Sequence, residues 1–290
     1  LIEAGADVNK ADNDGWTPLY IAAEDDNESV VKALIEAGAN VNWSFDDGKA
    51  PLYIAARKGH AMVVEILVGA GADINRSVKE SKTSLYYAAC FDNLAVVKVL
   101  IEAGANVDIP ADDGTTPLCI AAHNGSNRVV NFLINTGLDV NKAHNDGWTP
   151  LYRAARKGHE AVVKALIEAG ADVNKATNDG RTPLYIAAQH GHEAVVEALI
   201  EAGAGVNPLR DDGATPLYFG ALGGHLGVVK VLLDSGAEPN ITCDDGTTPL
   251  SVARQRGHDE VARVLEADCA NKLRQRQTTT TSTAVGQLQT

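Results

Sequence analysis

A surplus of cationic residues, paired cysteines and long apolar runs are all missing from this sequence. Its 290 residues carry 25 lysines and arginines against 38 aspartates and glutamates, which gives a formal net charge of −13. Binding to a phosphate backbone needs a cationic surface, so nucleic acid is excluded as the main partner. No stretch approaches the roughly 18 consecutive apolar residues of a membrane span, and no basic-then-apolar leader is present.

The sequence has only four cysteines, Cys90, Cys119, Cys243 and Cys269, and they lie far apart without a CxxC pair. This spacing supports neither a zinc ribbon nor a disulfide framework. We therefore expect a reducing compartment, which means the cytoplasm or the nucleus.

The sequence is instead rich in internal repetition. Rows of 33 residues align a column of threonine from Thr17 to Thr248 without an insertion, and Ala50 is the one exception. The next column is proline except at Ser84, and the column after it is always leucine. Eight copies, numbered here repeats one to eight, fill residues 15–278. Self-similarity of this period indicates a stacked repeat architecture.

Repeat five, residues 147–179, shows which structure each copy predicts. Thr149 followed by Pro150 is a helix start, because threonine caps the first turn and proline loses no hydrogen bond there. Gly158 can close this short helix in a left-handed turn. Apolar residues within 162–167 recur at helical spacing and predict a second helix that ends near Gly170. The following Asn-Asp-Gly segment predicts a projecting hairpin.

This unit resembles the ankyrin repeat family. Residues Gly180 to Asn207 read GRTPLYIAAQHGHEAVVEALIEAGAGVN, close to the family pattern G-x-TPLHLAA-x-x-GH-x-x-VV-x-x-LL-x-x-GADVN. The resemblance implies an all-α solenoid of helix-turn-helix units with projecting β-hairpin loops, whose concave side binds other proteins. The family's histidine in TPLH is absent, so the hydrogen bonds of that histidine cannot be transferred. Its position is occupied by Tyr20, Tyr53, Tyr86, Cys119, Tyr152, Tyr185, Tyr218 and Ser251.

Repeat three, residues 81–113, departs furthest from the pattern. Ser81 replaces the turn glycine, Ser84 replaces proline, and Asp92 replaces the glycine of Gly-His. Asp26 makes the last change in repeat one, where the left-handed turn should survive because aspartate tolerates that backbone. We expect repeat three to be the weakest copy.

The two ends of the chain predict different things. Residues 1–14 read as the remnant of a truncated preceding repeat, and Leu1 is not an initiator methionine, so we expect a fragment. After repeat eight, Val261 and Leu265 continue a helix as a partial cap. Residues 279–290 are mostly polar, offer no apolar face to bury in a core and are expected to be disordered.

Motifs that suggest catalysis or metal binding are incomplete. His159 and His192 each begin an HExxH pattern, but the second ligand position holds Val163 or Val196. Residues 10–21 resemble a calcium loop whose first and twelfth positions cannot bind calcium, so a hairpin turn is the better interpretation. We expect no enzymatic activity, no cofactor and no metal.

Histidines and asparagines recur with the repeat. One repeat position, for which we expect a structural turn role, holds His60, His159, His192, His225 and His258. The other histidines, His123, His144 and His190, are expected at variable surface positions. Glycosylation sequons occur at Asn27, Asn42, Asn75, Asn124 and Asn240, and three of these five occupy the repeat's VN position, so duplication explains them better than glycan attachment.

The candidate binding surface follows from helix geometry. Positions two, five and six residues after the first-helix leucine point roughly 200°, 140° and 240° away from it, so we expect them to face away from the core. These positions vary while the core columns barely change, as a recognition surface requires. Aromatic residues next to the hairpin glycines are expected to lie outside the core as contact residues; they are Trp16, Trp43, Phe45 and Trp148.

Cations collect on this surface in two places. Repeats two and three contribute Lys49, Arg57, Lys58 and Lys82, and repeats five and six contribute Arg153, Arg156, Lys157 and Arg181, beside Trp148. With units about 10 Å apart, we expect the two clusters to lie roughly 30 Å from each other, within the span of one extended acidic segment.

The function expected from these features is that of a monomeric, non-catalytic protein-interaction scaffold that binds a partner protein along this concave surface. Two alternatives stay open. The chain could be a targeting or regulatory part of a larger enzyme whose catalytic domain lies outside it, and the cations could be ordinary solvated charges.

Overall fold

The computed structural model describes residues 5–272. Two compact units divide the chain, one formed by Leu1–Pro150 with Glu168–Gly170 and the other by Leu151–Ile167 with Ala171–Thr290. We call them the first and second units. The disordered tail predicted at 279–290 lies outside the described residues. Within 5–272, no helix combines the length and the apolar character that crossing a bilayer requires.

Each repeat contributes two helices, as the repeat pattern predicts. The first helices are α1 (Pro18–Glu24), α3 (Pro51–Lys58), α5 (Ser84–Cys90), α7 (Pro117–Asn124), α9 (Pro150–Lys157), α11 (Pro183–His190), α13 (Pro216–Leu222) and α15 (Pro249–Arg256). The second helices are α2 (Glu28–Glu36), α4 (Ala61–Gly69), α6 (Leu94–Glu102), α8 (Asn127–Ile134), α10 (Glu160–Glu168), α12 (Glu193–Glu201), α14 (Leu226–Asp234) and α16, described over residues 259–272.

The threonine column begins the first helices by capping them. In repeat six, Oγ1 of Thr182 accepts a hydrogen bond from the backbone amide of Tyr185 at 3.2 Å, and Pro183 follows at the first helical position. Ala50 leaves α3 without a side-chain cap, as expected. Because the first amides of a helix have no partner within it, this column defines where each repeat starts.

The first helices end at residues whose backbone is in the left-handed conformation. Gly158 has φ 75° and Gly191 has φ 75°, while Asp26 and Asp92 take the same place in repeats one and three with φ 57°. The expectation that the turn survives without glycine is therefore confirmed.

Alanine, valine and leucine form the core within each unit. Neighbouring first helices pack side by side, α1 on α3 and α3 on α5 in the first unit, and α11 on α13 in the second. The alanine pairs of the first helices and the valine pairs of the second are almost fully buried, as at Ala187, Ala188 and Val196. Small residues at the first-helix contact allow close approach of the helices, so each repeat buries its apolar faces against the next.

The hairpins are mostly turns rather than regular strands. In the hairpin that joins repeats five and six, the amide of Thr177 donates to the carbonyl of Arg181 at 2.9 Å, and the amide of Gly180 donates to the carbonyl of Thr177 at 3.0 Å. Among the described residues, a ladder long enough to be a strand pair occurs only where β1 (Ser77–Val78) pairs antiparallel with β2 (Lys82–Thr83).

The asparagine of the VN pair joins successive hairpins in several repeats of both units. Nδ2 of Asn42 donates to the carbonyl of Gly71 at 3.0 Å, and Oδ1 of Asn42 accepts from the amide of Asp73 at 2.8 Å. Asn207 makes the equivalent bonds to Gly236 and Glu238 in the second unit. This asparagine side chain is thus used in hydrogen bonds between successive repeats. That structural use supports duplication, rather than glycan attachment, as the reason for the sequons there.

Repeat three should open before a repeat that follows the pattern closely, such as repeat six. Glu80 and Ser81 both have positive φ, 65° and 57°, in a turn where other repeats need only one such residue, a glycine. Ser84 lacks the conformational restriction of proline, while Thr83 already has ψ 168°, which suits a residue before proline. Hydrogen exchange should therefore be faster for residues 81–113 than for residues 180–212, since repeat stability is a sum of local terms.

The double substitution Ser81→Gly and Ser84→Pro should slow that exchange and raise the melting temperature. Proline at residue 84 restricts the unfolded chain and should contribute about 0.5–1 kcal/mol, and glycine at residue 81 removes the strain of a left-handed residue that carries a side chain. Ser81→Gly also removes the hydrogen bond from the Ser81 hydroxyl to Asp112. This substitution should therefore raise the stability less than Ser84→Pro does. Equal protection of the two repeats in the unaltered protein would show that the rule-breaking residues are compensated.

Candidate functional site

The inward positions of the first helices are less uniformly exposed than expected. Ile54 and Ile186 are each only 2% exposed and Val252 only 3%, whereas Ile21 is 41% exposed. The expectation that all these positions face away from the core is wrong for repeats two, six and eight. In these three repeats the side chain two residues after the leucine is part of the buried core, and the exposed positions are those near the helix end, such as Arg57 and Lys58.

Carboxylates accompany three of the four cations predicted in the first unit. Lys49 lies 2.7 Å from Asp47, and Lys82 lies 2.5 Å from Glu80. The hydrogen bond from Lys49 lowers the pKa of Asp47 and raises that of Lys49. Lys58 pairs at 3.4 Å with a carboxylate on α1, that of Glu24.

Arg57 completes this group and lies beside aromatic residues. Its guanidinium is 5.6 Å from the ring centre of Phe91, which is 50% exposed. Tyr87 packs edge-on against Tyr53 at 4.8 Å nearby. Lys49, Arg57 and Lys82 all lie near Tyr87. Lys58 is instead paired with Glu24.

The aromatic hairpin residues of the first unit contact one another. The ring centre of Phe45 lies 4.8 Å from that of Trp43 and 5.2 Å from that of Trp16. Phe45 also contacts buried Tyr20, and all three ring pairs are edge to face. They are half-buried rather than fully outside the core. Such pairs stabilise adjacent hairpins, which gives these residues a structural role that the sequence did not indicate.

Trp148 also belongs to the first unit and stacks on His144, with ring centres 5.3 Å apart. The side chain of His144 is only 10% exposed and lies near two carboxylates, those of Asp113 and Asp146. The expectation of a variable surface position is wrong for His144, because the indole covers its ring.

The remaining predicted residues lie in the second unit on α9 and the hairpin before α11. Arg153 and Arg156 are half-buried and Lys157 is exposed on α9. Arg181 forms an ion pair with Asp179, and the hydrogen bond between them lowers the pKa of the carboxyl group. The 3.1 Å hydrogen bond from Nε2 of His192 to the carbonyl of Arg156 shows that α9 and the turn after α11 are adjacent.

Arg210 is a further cation of this surface that the sequence analysis missed. Its guanidinium donates to Asp212 and to the hydroxyl of Tyr185 at 3.0 Å, and it lies 5.4 Å from the ring centre of Phe219. Arg210 precedes the capping Thr215 by five residues, in the hairpin before α13. Cations were sought only on the first helices and directly before the threonine column, so this position was missed.

Burial lowers the pKa of His190 most, and the neighbouring His192, Arg156, His225 and Lys157 lower it further. His190 therefore lies close to the cations Arg156 and Lys157 of α9.

The repeated histidines connect each repeat to the one before it. Nε2 of His225 donates to the carbonyl of Gln189 at 3.1 Å, and Nε2 of His258 donates to that of Leu222 at 3.1 Å. These carbonyls end the preceding first helix, where intrahelical partners run out. The expected structural role is confirmed, with the addition that the bond crosses between repeats.

The incomplete metal motifs form ordinary structure. Val163 and Val196 are fully buried core residues. Oδ1 of Asp12 accepts from the amides of Asp14 and Trp16 at 3.0 and 2.8 Å, which makes residues 10–16 the expected hairpin turn. Within residues 5–272 no three histidine, cysteine, aspartate or glutamate side chains are grouped as metal ligands, and all four cysteines are free.

Comparison with known families agrees with this architecture. The family described as ankyrin repeats (3 copies) matches residues 1–78, 48–111, 85–177, 174–243 and 203–276. The chain belongs to the ankyrin repeat family, whose members are in general non-catalytic protein-interaction modules. No curated protein matched the chain as a relative.

Proposed function

We propose that this protein is a non-catalytic scaffold that binds a partner protein along the surface formed by its first helices and hairpins. The second unit carries the strongest support. Five cations, Arg153, Arg156, Lys157, Arg181 and Arg210, lie on α9 and on the hairpins before α11 and α13, and two of them, Arg181 and Arg210, are paired with Asp179 and Asp212. Complementary charge steers association and selects partners, so the partner is an acidic, extended protein segment.

The first unit supports the same kind of contact less strongly. Lys49, Lys58 and Lys82 are matched by their own carboxylates, and exposed pairs of this sort add little net attraction for a further anion. Arg57 beside Phe91 is the part of that surface best suited to contact a partner, because arginine and aromatic residues dominate binding energies.

Site-specific photo-crosslinking tests where the partner binds. A crosslinking amino acid replaces Lys157 on α9 in one protein and Lys164 on α10 in another, both exposed and seven residues apart. After capture of partners from a lysate of the source cells, a discrete crosslinked band should appear from position 157 and be absent from position 164. Crosslinking from 164 alone would place the partner on the second helices and contradict the proposal.

A further inference from the structure

The surface proposed for binding changes character from repeat five to repeat seven. Equivalent first-helix positions, two and five residues after the leucine, hold Arg153 and Arg156 in repeat five but Phe219 and Leu222 in repeat seven. The next position changes from Lys157 to Gly223. One scaffold therefore presents cations at one end and apolar side chains at the other.

The apolar end is held in place by its neighbours. The Phe219 ring lies 4.7 Å from the Tyr185 ring and 5.4 Å from that of Tyr218, and it remains half-buried. Arg210, fixed by Asp212 and by the Tyr185 hydroxyl, covers part of it. Little side-chain freedom is left to lose on binding, which favours affinity.

Gly223 leaves this apolar end open. Its position corresponds to Lys157 of repeat five, yet a Cβ at Gly223 would lie 2.4 Å from Nε2 of His225. The ring of His225 thus excludes a side chain there, and Leu222 is flanked by bare backbone. A large apolar side chain of a partner can approach Phe219 and Leu222 without displacing another group.

We infer that the second unit binds one extended segment of a partner protein in which an acidic block and a large apolar side chain are separated by about six residues. This inference rests on the proposed function and deepens it. Two repeats at about 10 Å each separate the cationic from the apolar end, and an extended chain advances about 3.3 Å per residue. A nucleic acid fits less well, because its phosphates would meet apolar Phe219 and Leu222 at this end, where the charge of Arg210 is already paired with Asp212.

Labelled synthetic peptides test the inference on the full chain. Each peptide carries four glutamates and one leucine, joined by two, six or ten glycine and serine residues, in both chain directions. Fluorescence anisotropy should show the tightest binding for the six-residue spacer in one direction, about tenfold tighter than the same peptide with serine in place of leucine.

The chain supplies its own control substitutions. Leu222→Gln and Phe219→Ile each introduce the residue found at that position in repeat six, so both should preserve folding, which a thermal melt checks. Leu222→Gln should abolish the tenfold advantage of the leucine peptide and leave binding of the serine peptide unchanged.

Two outcomes would overturn the inference while the proposed function stands. One is binding that depends on the glutamates but not on the leucine or the spacer length. The other is a 20-nucleotide single-stranded DNA that competes as well as the best peptide, since that would show a contact set by charge alone. Failure of the proposed function itself would appear separately, as crosslinking from position 164 and not from 157.

Discussion

Replacing Gly191 by alanine should destabilise the protein by about 2–4 kcal/mol. Gly191 has φ 75° at the end of α11, a backbone that costs an L-residue roughly 1–2 kcal/mol. A Cβ there would also lie 2.5 Å from Nδ1 of His225. The ring must move, and its hydrogen bond to the carbonyl of Gln189 is lost, which adds about 1 kcal/mol or more.

Gly203 provides the matched control within the same repeat. Its φ is 89°, but an added Cβ meets no atom within 4 Å. Gly203→Ala should therefore cost only the backbone strain, about 1–2 kcal/mol. Chemical denaturation of both variants measures the difference.

A double-mutant cycle isolates the contact between Gly191 and His225. In a His225→Ala background, Gly191→Ala should cost no more than Gly203→Ala does, because no ring remains in the way. If Gly191→Ala is equally costly with and without the ring, the histidine is not what requires glycine at this turn.

Most of the fold could be predicted because each repeat is locally consistent. Threonine, proline, leucine and glycine each act within a few residues of their own position, so the helix starts at Pro150 and the turn at Gly158 follow from sequence alone. The same residues recur eight times in one register, and the structure places each helix where this pattern predicts it.

The candidate site could be predicted only in part because it depends on side chains from neighbouring repeats. Ile54 and Ile186 are buried in the stacked protein, which a helical wheel of one isolated repeat cannot show. A count of cations also cannot show that Lys49 pairs with Asp47. Arg210 acts on Tyr185, 25 residues earlier, and no periodic pattern within one repeat indicates that contact.

Reversing two charges on α9 should have the largest effect on binding. The double substitution Arg156→Glu and Lys157→Glu changes the charge of the second unit's surface by four and should weaken the partner's affinity about 30-fold or more, since each reversal removes an attraction and adds a repulsion. Titration calorimetry with the captured partner measures this. Repeating it at about 50 and 200 mM salt should show a flatter salt dependence for the variant, because screening then has less attraction to reduce.

The matched control reverses two charges on the second helices, with Lys164→Glu and Lys230→Glu. Both lysines are exposed, on α10 and α14, and the net charge of the protein changes by the same amount. If the effect on affinity arises from total charge, the two double variants weaken binding equally, and the proposed surface is wrong. If it arises from local complementarity, the control binds within about twofold of the unaltered protein at about 150 mM salt, where charges separated by more than about 8 Å are largely screened.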